Sequence, residues 1–173
     1  MQNNRIYTTN AIFKNYGTLT LASDGVTLLG CWFRESKHYM YGIKGEITEK
    51  SNLSIFSLAQ EWLNDYFSDR IPSKLLIPLA PSKSLFQSLV RENMMSIPYG
   101  ETITYGEIAR SIEVITGKRQ SAQAVGGAVS RNPFSVIVPC HRVVGFRNKL
   151  TGYDAGVELK LKLLQLERNK SFL

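Results

Sequence analysis

The stretch TYGEIARSIEVITGKRQSAQAVGGAV, residues Thr104–Val129, decides how the second half of this chain folds. Thr104 offers a hydroxyl and Glu107, three residues on, a carboxylate that reaches back, so a capping box starts a helix here. Ile108, Ala109 and Ile112 give that helix its apolar face. The polar connection Thr116-Gly-Lys-Arg119 breaks it, and a second helix runs from Ser121 through Val129. Helix, turn, helix is the outline. The second helix is almost bare on one side, where Ala122, Ala124, Gly126, Gly127 and Ala128 stand. Two glycines inside a helix cost about 1 kcal/mol each relative to alanine, so something must offset them. Tight packing against another helix would do so; so would the close approach of a bulky partner's backbone, such as that of a nucleic acid.

Upstream of this stretch, Ser84 caps a helix through about Met95 with Leu85, Phe86, Leu89 and Val90 on its apolar side, and Ile97-Pro-Tyr-Gly100 makes a turn. A domain boundary fits around Ala80-Pro-Ser-Lys83. Before it, Gly17–Ala22 alternates like a strand, Ser23-Asp-Gly25 supplies a turn, and Val26–Phe33 reads as the partner strand, with Cys31 a small buried residue inside it. Leu53–Phe67 has apolar residues at helical spacing, and Leu75–Leu79 reads as a short edge strand because Pro78 cannot donate to a central ladder. Downstream, Val157–Arg168 is amphipathic, with Leu159, Leu163, Leu164 and Leu166 apolar and Lys160, Lys162 and Arg168 polar. The expected class is α/β. A small N-terminal α/β domain over residues 1–82, an antiparallel sheet plus a helix, precedes a mostly helical C-terminal domain with the helix-turn-helix over residues 83–173.

With 43% hydrophobic and 20% charged residues in 173, the chain can bury a core. There is no repeat, no signal-peptide pattern at the N-terminus and no apolar run near the roughly 20 residues that span a bilayer, so a soluble cytoplasmic protein is expected. The two cysteines, Cys31 and Cys140, make no disulfide framework. Charge is uneven. Residues 1–80 carry 8 Lys and Arg against 7 Asp and Glu, whereas residues 81–173 carry 13 against 7. That excess points to a polyanionic partner for the second half, or to a basic surface that serves solubility.

The chemistry concentrates in FSVIVPCHRVVG, Phe134–Gly145. Pro139 fixes the chain just before Cys140, and a cysteine beside His141 and Arg142 has the surroundings that lower a thiol pKa if those side chains approach it. A buried structural thiol with a satisfied histidine is the plainer alternative. Cys31 and His38 have no ligand spacing with the pair, so neither a metal nor any other cofactor is expected.

The Pro139-Cys-His-Arg-Val-Val144 string follows Ala124-Val-Gly-Gly-Ala-Val-Ser-Arg-Asn-Pro133 closely. Together they resemble the active-site signature of the methylated-DNA–protein-cysteine methyltransferases, the O6-alkylguanine-DNA alkyltransferases. The resemblance covers about residues 84–168. It takes in the Ile97–Tyr105 segment, Thr151-Gly-Tyr153 and the Lys160 to Glu167 ending.

The resemblance implies DNA repair by direct reversal: one irreversible transfer of a methyl or larger alkyl group from O6-alkylguanine, or O4-alkylthymine, onto Cys140. His141 would act as base through a bridging water, oriented by Glu167; Asn132 would brace the turn between the second helix and the active site. Tyr105 would rotate the target phosphate and donate toward guanine N3. The Cys140 and Val143 carbonyls would read the exocyclic amine, and Tyr153, the Asp154 N–H and Lys160 would line the pocket. Ser121, Gln123, Ala124, Gly126, Gly127 and Arg131 would meet DNA in the minor groove, with Arg119 and Lys118 on phosphate. The O6 atom lies inside the duplex stack, so the nucleotide must be flipped out. The partner is therefore double-stranded DNA, bound by a monomer, with cooperative binding left open. Gln123 departs from the pattern, since the family commonly has an arginine there to fill the gap left by the flipped base. Weighed against this reading are a module that binds alkylated DNA without transfer, a helix-turn-helix regulator and a turnover cysteine hydrolase. The first lacks the reactive cysteine, the second needs base-reading side chains on its recognition helix, and nothing outside Cys-His-Glu supports the third.

Overall fold

The computed structural model describes residues 5–68, 70–73 and 75–170. They fall into two compact units, one drawn from the described residues up to 80 with 133–137 and one from those of 81–132 with those from 138 on. The chain first passes from one unit to the other after Ala80. The five residues Pro133–Ile137, assigned from sequence to the second domain, pack within the first unit.

The first unit is a four-stranded sheet with a helix. Strands β1 (Arg5–Phe13), β2 (Gly17–Ser23), β3 (Leu28–Phe33) and β4 (Glu46–Glu49) are ordered β3-β2-β1-β4. The first three are antiparallel, as expected, but β4 runs parallel to β1, so the sheet is mixed. Asp24 builds the β2–β3 turn: Oδ1 accepts from the Val26 and Thr27 N–H groups at 2.9 and 2.7 Å. Gly30 is required by packing, because a Cβ there would stand 1.8 Å from the Trp32 ring. Helix α1 (Ser54–Phe67) buries Ile55, Phe56, Ala59, Leu63 and Tyr66.

Leu75–Leu79 does not form the expected strand. The Leu28 N–H donates to the Pro78 carbonyl and the Ala80 N–H to the Leu28 carbonyl, and only an isolated bridge at Leu79 results. Pro78 has no N–H with which to extend it. Cys31, fully buried in β3, donates its N–H to the Pro133 carbonyl at 2.7 Å, and its own carbonyl accepts from the Ser135 N–H at 2.8 Å. Its backbone thus holds the 133–137 segment. Within that segment Val136 is buried at φ 70, a left-handed conformation that crowds a β-branched side chain.

The second unit is mostly helical. Helix α2 (Leu85–Met95) is capped by Ser84, whose hydroxyl accepts from the Gln87 N–H. A two-stranded parallel pair, β5 (Ile103–Thr104) with β6 (Val143–Val144), lies between the helices in sequence. Helix α3 (Tyr105–Thr116) opens on the capping box, with Thr104 N donating to Glu107 Oε2 at 2.7 Å and Glu107 N to Thr104 Oγ1 at 3.2 Å. It runs a turn beyond Ile112 and stops at Gly117, φ 67. Helix α4 (Ala122–Ser130) is capped by Ser121 and packs Val125, Ala128 and Val129 inward against α2 and α3. Helix α5 (Val157–Lys170) closes the unit.

Candidate active site

Cys140, His141 and Arg142 form one 3-10 turn between Pro139 and β6, and all three are buried. The turn is reached from α4 through Asn132, which is buried and donates from Nδ2 to the Val138 carbonyl at 3.0 Å. That bond ties the end of α4 to the residue two before the cysteine.

His141 turns its Nε2 to Glu167 Oε1 at 2.5 Å, with both side chains fully buried. Arg142 does not approach the thiol as its place in the sequence suggested. Its Nε donates to Glu167 Oε2 at 2.8 Å, Nη2 to Oε1 at 3.1 Å and Nη1 to the Ile97 carbonyl at 2.8 Å. The Gly100 N–H adds a fourth donor on Glu167, at 3.0 Å from Oε2. Burial alone would raise the Glu167 carboxyl, but the bonds and charges of His141 and Arg142 outweigh it and hold it at about 2. Burial pushes His141 below its ordinary value, and the Arg142 and Lys160 charges push the same way against the pull of Glu167.

Lys160 projects from α5 into the interior and is fully buried; it is not on the polar face that the helical pattern gave it, while the family resemblance had put it beside the pocket. Its Nζ donates to the carbonyls of Val143, Thr151 and Gly152 at 2.6, 3.0 and 3.1 Å. Burial pulls the ammonium down to about 8, with Cys140 pulling it back up. The buried face of α5 is therefore Lys160, Leu163, Leu164 and Glu167, an i, i+3, i+4, i+7 stripe that mixes two aliphatic with two ionisable side chains.

Around Cys140 stand Asn132, Lys160 and Tyr153, which each favour the thiolate, and Asp154, which opposes it; burial outweighs them all and the thiol is pushed up. Tyr105, half-buried at the start of α3, lies with its ring centroid 5.8 Å from Lys160 Nζ. Burial and the neighbouring Cys140 raise its hydroxyl, and Thr151 partly offsets this, so the phenol stays a donor. The structure thus brings Cys140, His141, Glu167, Asn132, Tyr105, Val143, Tyr153, Asp154 and Lys160 to one region of the second unit. Of the expected DNA-facing residues, Ser121, Gln123 and Ala124 are exposed at the start of α4, Gly126 and Gly127 are half-exposed, with Gly126 next to the Tyr105 ring, and Arg119, Lys118 and Arg131 are exposed.

Arg142 was missed as a site residue. Its one sequence signal was its place next to His141; its partners lie 25 and 45 residues away. Among the described residues no three His, Cys, Asp or Glu side chains are grouped to hold a metal ion. No described helix is long and apolar enough to cross a membrane.

Residues 85–169 match the family described as 6-O-methylguanine DNA methyltransferase, DNA binding domain. A methylated-DNA–protein-cysteine methyltransferase of Methanosarcina acetivorans is 41% identical over 160 residues, 91% of this chain and 96% of that one. One from Haemophilus influenzae is 35% identical over 152 residues, 88% of this chain and 81% of its own. The crystal structure of Mycobacterium tuberculosis OGT in complex with DNA matches with TM-score 0.79 and 37% identity over 96% of this chain and 94% of that one. With a buried Cys-His-Glu set on this fold and relatives alike over nearly their whole length, the chain belongs to the methylated-DNA–protein-cysteine methyltransferase family.

Proposed function

We propose that this chain repairs alkylated DNA by direct reversal, with Cys140 as the acceptor. The protein binds double-stranded DNA and takes the alkyl group of a flipped O6-alkylguanine. The Cys140 Sγ–carbon bond forms as the carbon–O6 bond breaks, and the electron pair stays on the guanine. The thiol proton passes to His141 through a bridging water. With Nε2 committed to Glu167, Nδ1 is the nitrogen through which the imidazole acts, and the carboxylate steadies the imidazolium that results. Tyr105, held as a phenol, donates toward guanine N3 as charge builds there. The thioether has no ready hydrolysis route, so each molecule acts once.

The observation that carries this reading is the buried set itself: the Cys140 thiol, the His141 imidazole that follows it in the same turn, and the Glu167 carboxylate bonded to that imidazole. Lys160 supports the pocket by drawing the Val143, Thr151 and Gly152 carbonyls to one ammonium, which fixes the Val143 carbonyl that reads the exocyclic amine.

The glycines of α4 support the docking face. A methyl on Gly126 would meet the Tyr105 ring at 3.9 Å, and one on Gly127 would meet Arg131 Nη2 at 3.4 Å, both ordinary contacts. Packing within the unit does not demand these glycines, which leaves the approach of a partner's backbone as their reason. The face takes the minor groove, where Gln123 occupies the gap left by the flipped nucleotide and Arg119 and Lys118 grip phosphate.

The test is intact-protein mass spectrometry after mixing with excess duplex containing O6-methylguanine. One methyl per chain, mapped to the Cys140 peptide and then no further gain, is expected. DNA binding with no mass gain would instead identify a damage-binding module.

A further inference from the structure

Glu167 is shared. His141 is one of its partners, and the guanidinium of Arg142 is another, lying along the same carboxylate with two N–H groups at 2.8 and 3.1 Å. Arg142 is itself built into place: Nη1 holds the Ile97 carbonyl at 2.8 Å, and the Tyr99 ring lies 5.3 Å from its Cζ. The same side chain therefore links the cysteine turn, α5 and the Ile97–Gly100 turn. A fork of this kind leaves the carboxylate one orientation, with Oε1 toward the imidazole.

The fork also sets the charge that His141 meets. A bare buried carboxylate 2.5 Å from an imidazole draws a proton onto it. An imidazolium at rest cannot accept the proton of Cys140. The charged groups that shift His141 include Glu167 and Lys160 from α5 and Arg142 from its own turn, where Cys140 is its titratable neighbour. Of these only the Glu167 carboxylate favours the imidazolium at rest, and Arg142 is the cation bonded directly to that carboxylate.

We propose that Arg142 is a positioning residue for the transfer, its guanidinium orienting the Glu167 carboxylate and offsetting its charge so that His141 rests neutral and able to take the thiol proton. The inference rests on the reading of His141 as the base for Cys140. It adds a fourth member to the Cys140-His141-Glu167 set, one that never touches the substrate.

The chain has two histidines, His38 and His141, so their ring nitrogens can be followed in a 15N-labelled sample and assigned with a His38→Gln variant. The same samples give single-turnover rates on O6-methylguanine duplex across pH. Wild-type His141 is expected to be neutral near neutral pH with its proton on Nε2, and the transfer rate to fall only at more acid pH. Arg142→Gln should move the imidazole titration, and the acid limb of the rate with it, upward by about one pH unit. Arg142→Lys keeps the charge without the fork, and should leave the titration near wild type while slowing transfer about tenfold or more at every pH. A purely structural role would lower rates in both variants and move neither titration. A wild-type acid limb that stays in place in folded Arg142→Gln overturns the assignment of Arg142 alone. A wild-type rate with no acid limb overturns the base reading beneath it. Should Arg142→Gln fail to fold, an imidazolium in the wild type at neutral pH, or wild-type rates in Arg142→Lys, overturns the proposal equally.

Discussion

Replacing Glu167 by glutamine removes a charge and keeps the shape, and its effect on stability can be worked from the site. The carboxyl is held at about 2 in the folded protein against 4.5 for an ordinary glutamate. A depressed folded-state value stabilises the protein above the unfolded pKa, and that stability is lost as pH falls through the folded one. The shift of about 2.5 units corresponds to about 3 kcal/mol near pH 7, at 1.36 kcal/mol per unit. By about pH 3, where the unfolded carboxyl is mostly protonated, roughly half of it or less remains. Loss of the carboxylate also leaves the Arg142 guanidinium buried without its counter-ion, which acts in the same direction. Urea unfolding of wild type and Glu167→Gln at the two pH values isolates this group, because the other carboxylates cancel in the difference. The gap should be about 3 kcal/mol near pH 7 and shrink by roughly half near pH 3. A gap of the same size at both pH values would refute the reasoning, since it would show lost packing rather than lost charge.

Gly126→Ala and Gly127→Ala should each stabilise the folded protein by up to about 1 kcal/mol, because a methyl fits at either position, and should weaken duplex binding. Thermal unfolding and a binding titration read the two effects, and unchanged affinity would mean the glycines do not meet DNA. Arg119→Ala or Lys118→Ala should flatten the salt dependence of binding by about one unit of log–log slope per lost phosphate contact. An unchanged slope would take that residue off the backbone.

The helix-turn-helix was legible because its signals are local. The Thr104–Glu107 box and the Ser121 cap each act within three residues, and both appear in the structure with the expected donors and acceptors. The β2–β3 hairpin was legible for the same reason, through Asp24 and its turn. Strands β1 and β4 were not. The sequence RIYTTNAIF alternates poorly across Thr8, Thr9 and Asn10, and all four residues of β4 are exposed, so neither carries a period-2 apolar pattern. Their parallel pairing joins Arg5–Thr8 to Glu46–Glu49, and nothing local to either strand specifies it. The family resemblance made Cys140, His141, Glu167 and a pocket-side Lys160 visible as a set, while the bonds of Arg142 depend on contacts between distant segments. On α5 the helical period was right and the residue type misled: position 160 falls on the inward stripe, yet lysine reads as a surface residue.

A site with this many buried ionisable groups is costly to fold, and hydrophobic residues of similar volume would often be no less stable. Its composition makes sense when set against a nucleophile that is used once. Any electrophile or oxidant that consumes Cys140 ends the molecule's activity as surely as the damaged base does. Burial pushes the thiol up and the imidazole down, so both rest uncharged, and the thiolate, which is the reactive form, is scarce until a substrate is in place. The charge that favours the thiolate, that of Lys160, is anchored on three carbonyls and does not need to move for the reaction. Reactivity is thereby tied to occupancy of the pocket. A standing thiolate–imidazolium pair, which suits an enzyme that turns over, would leave a single-use protein open to inactivation before it reached DNA.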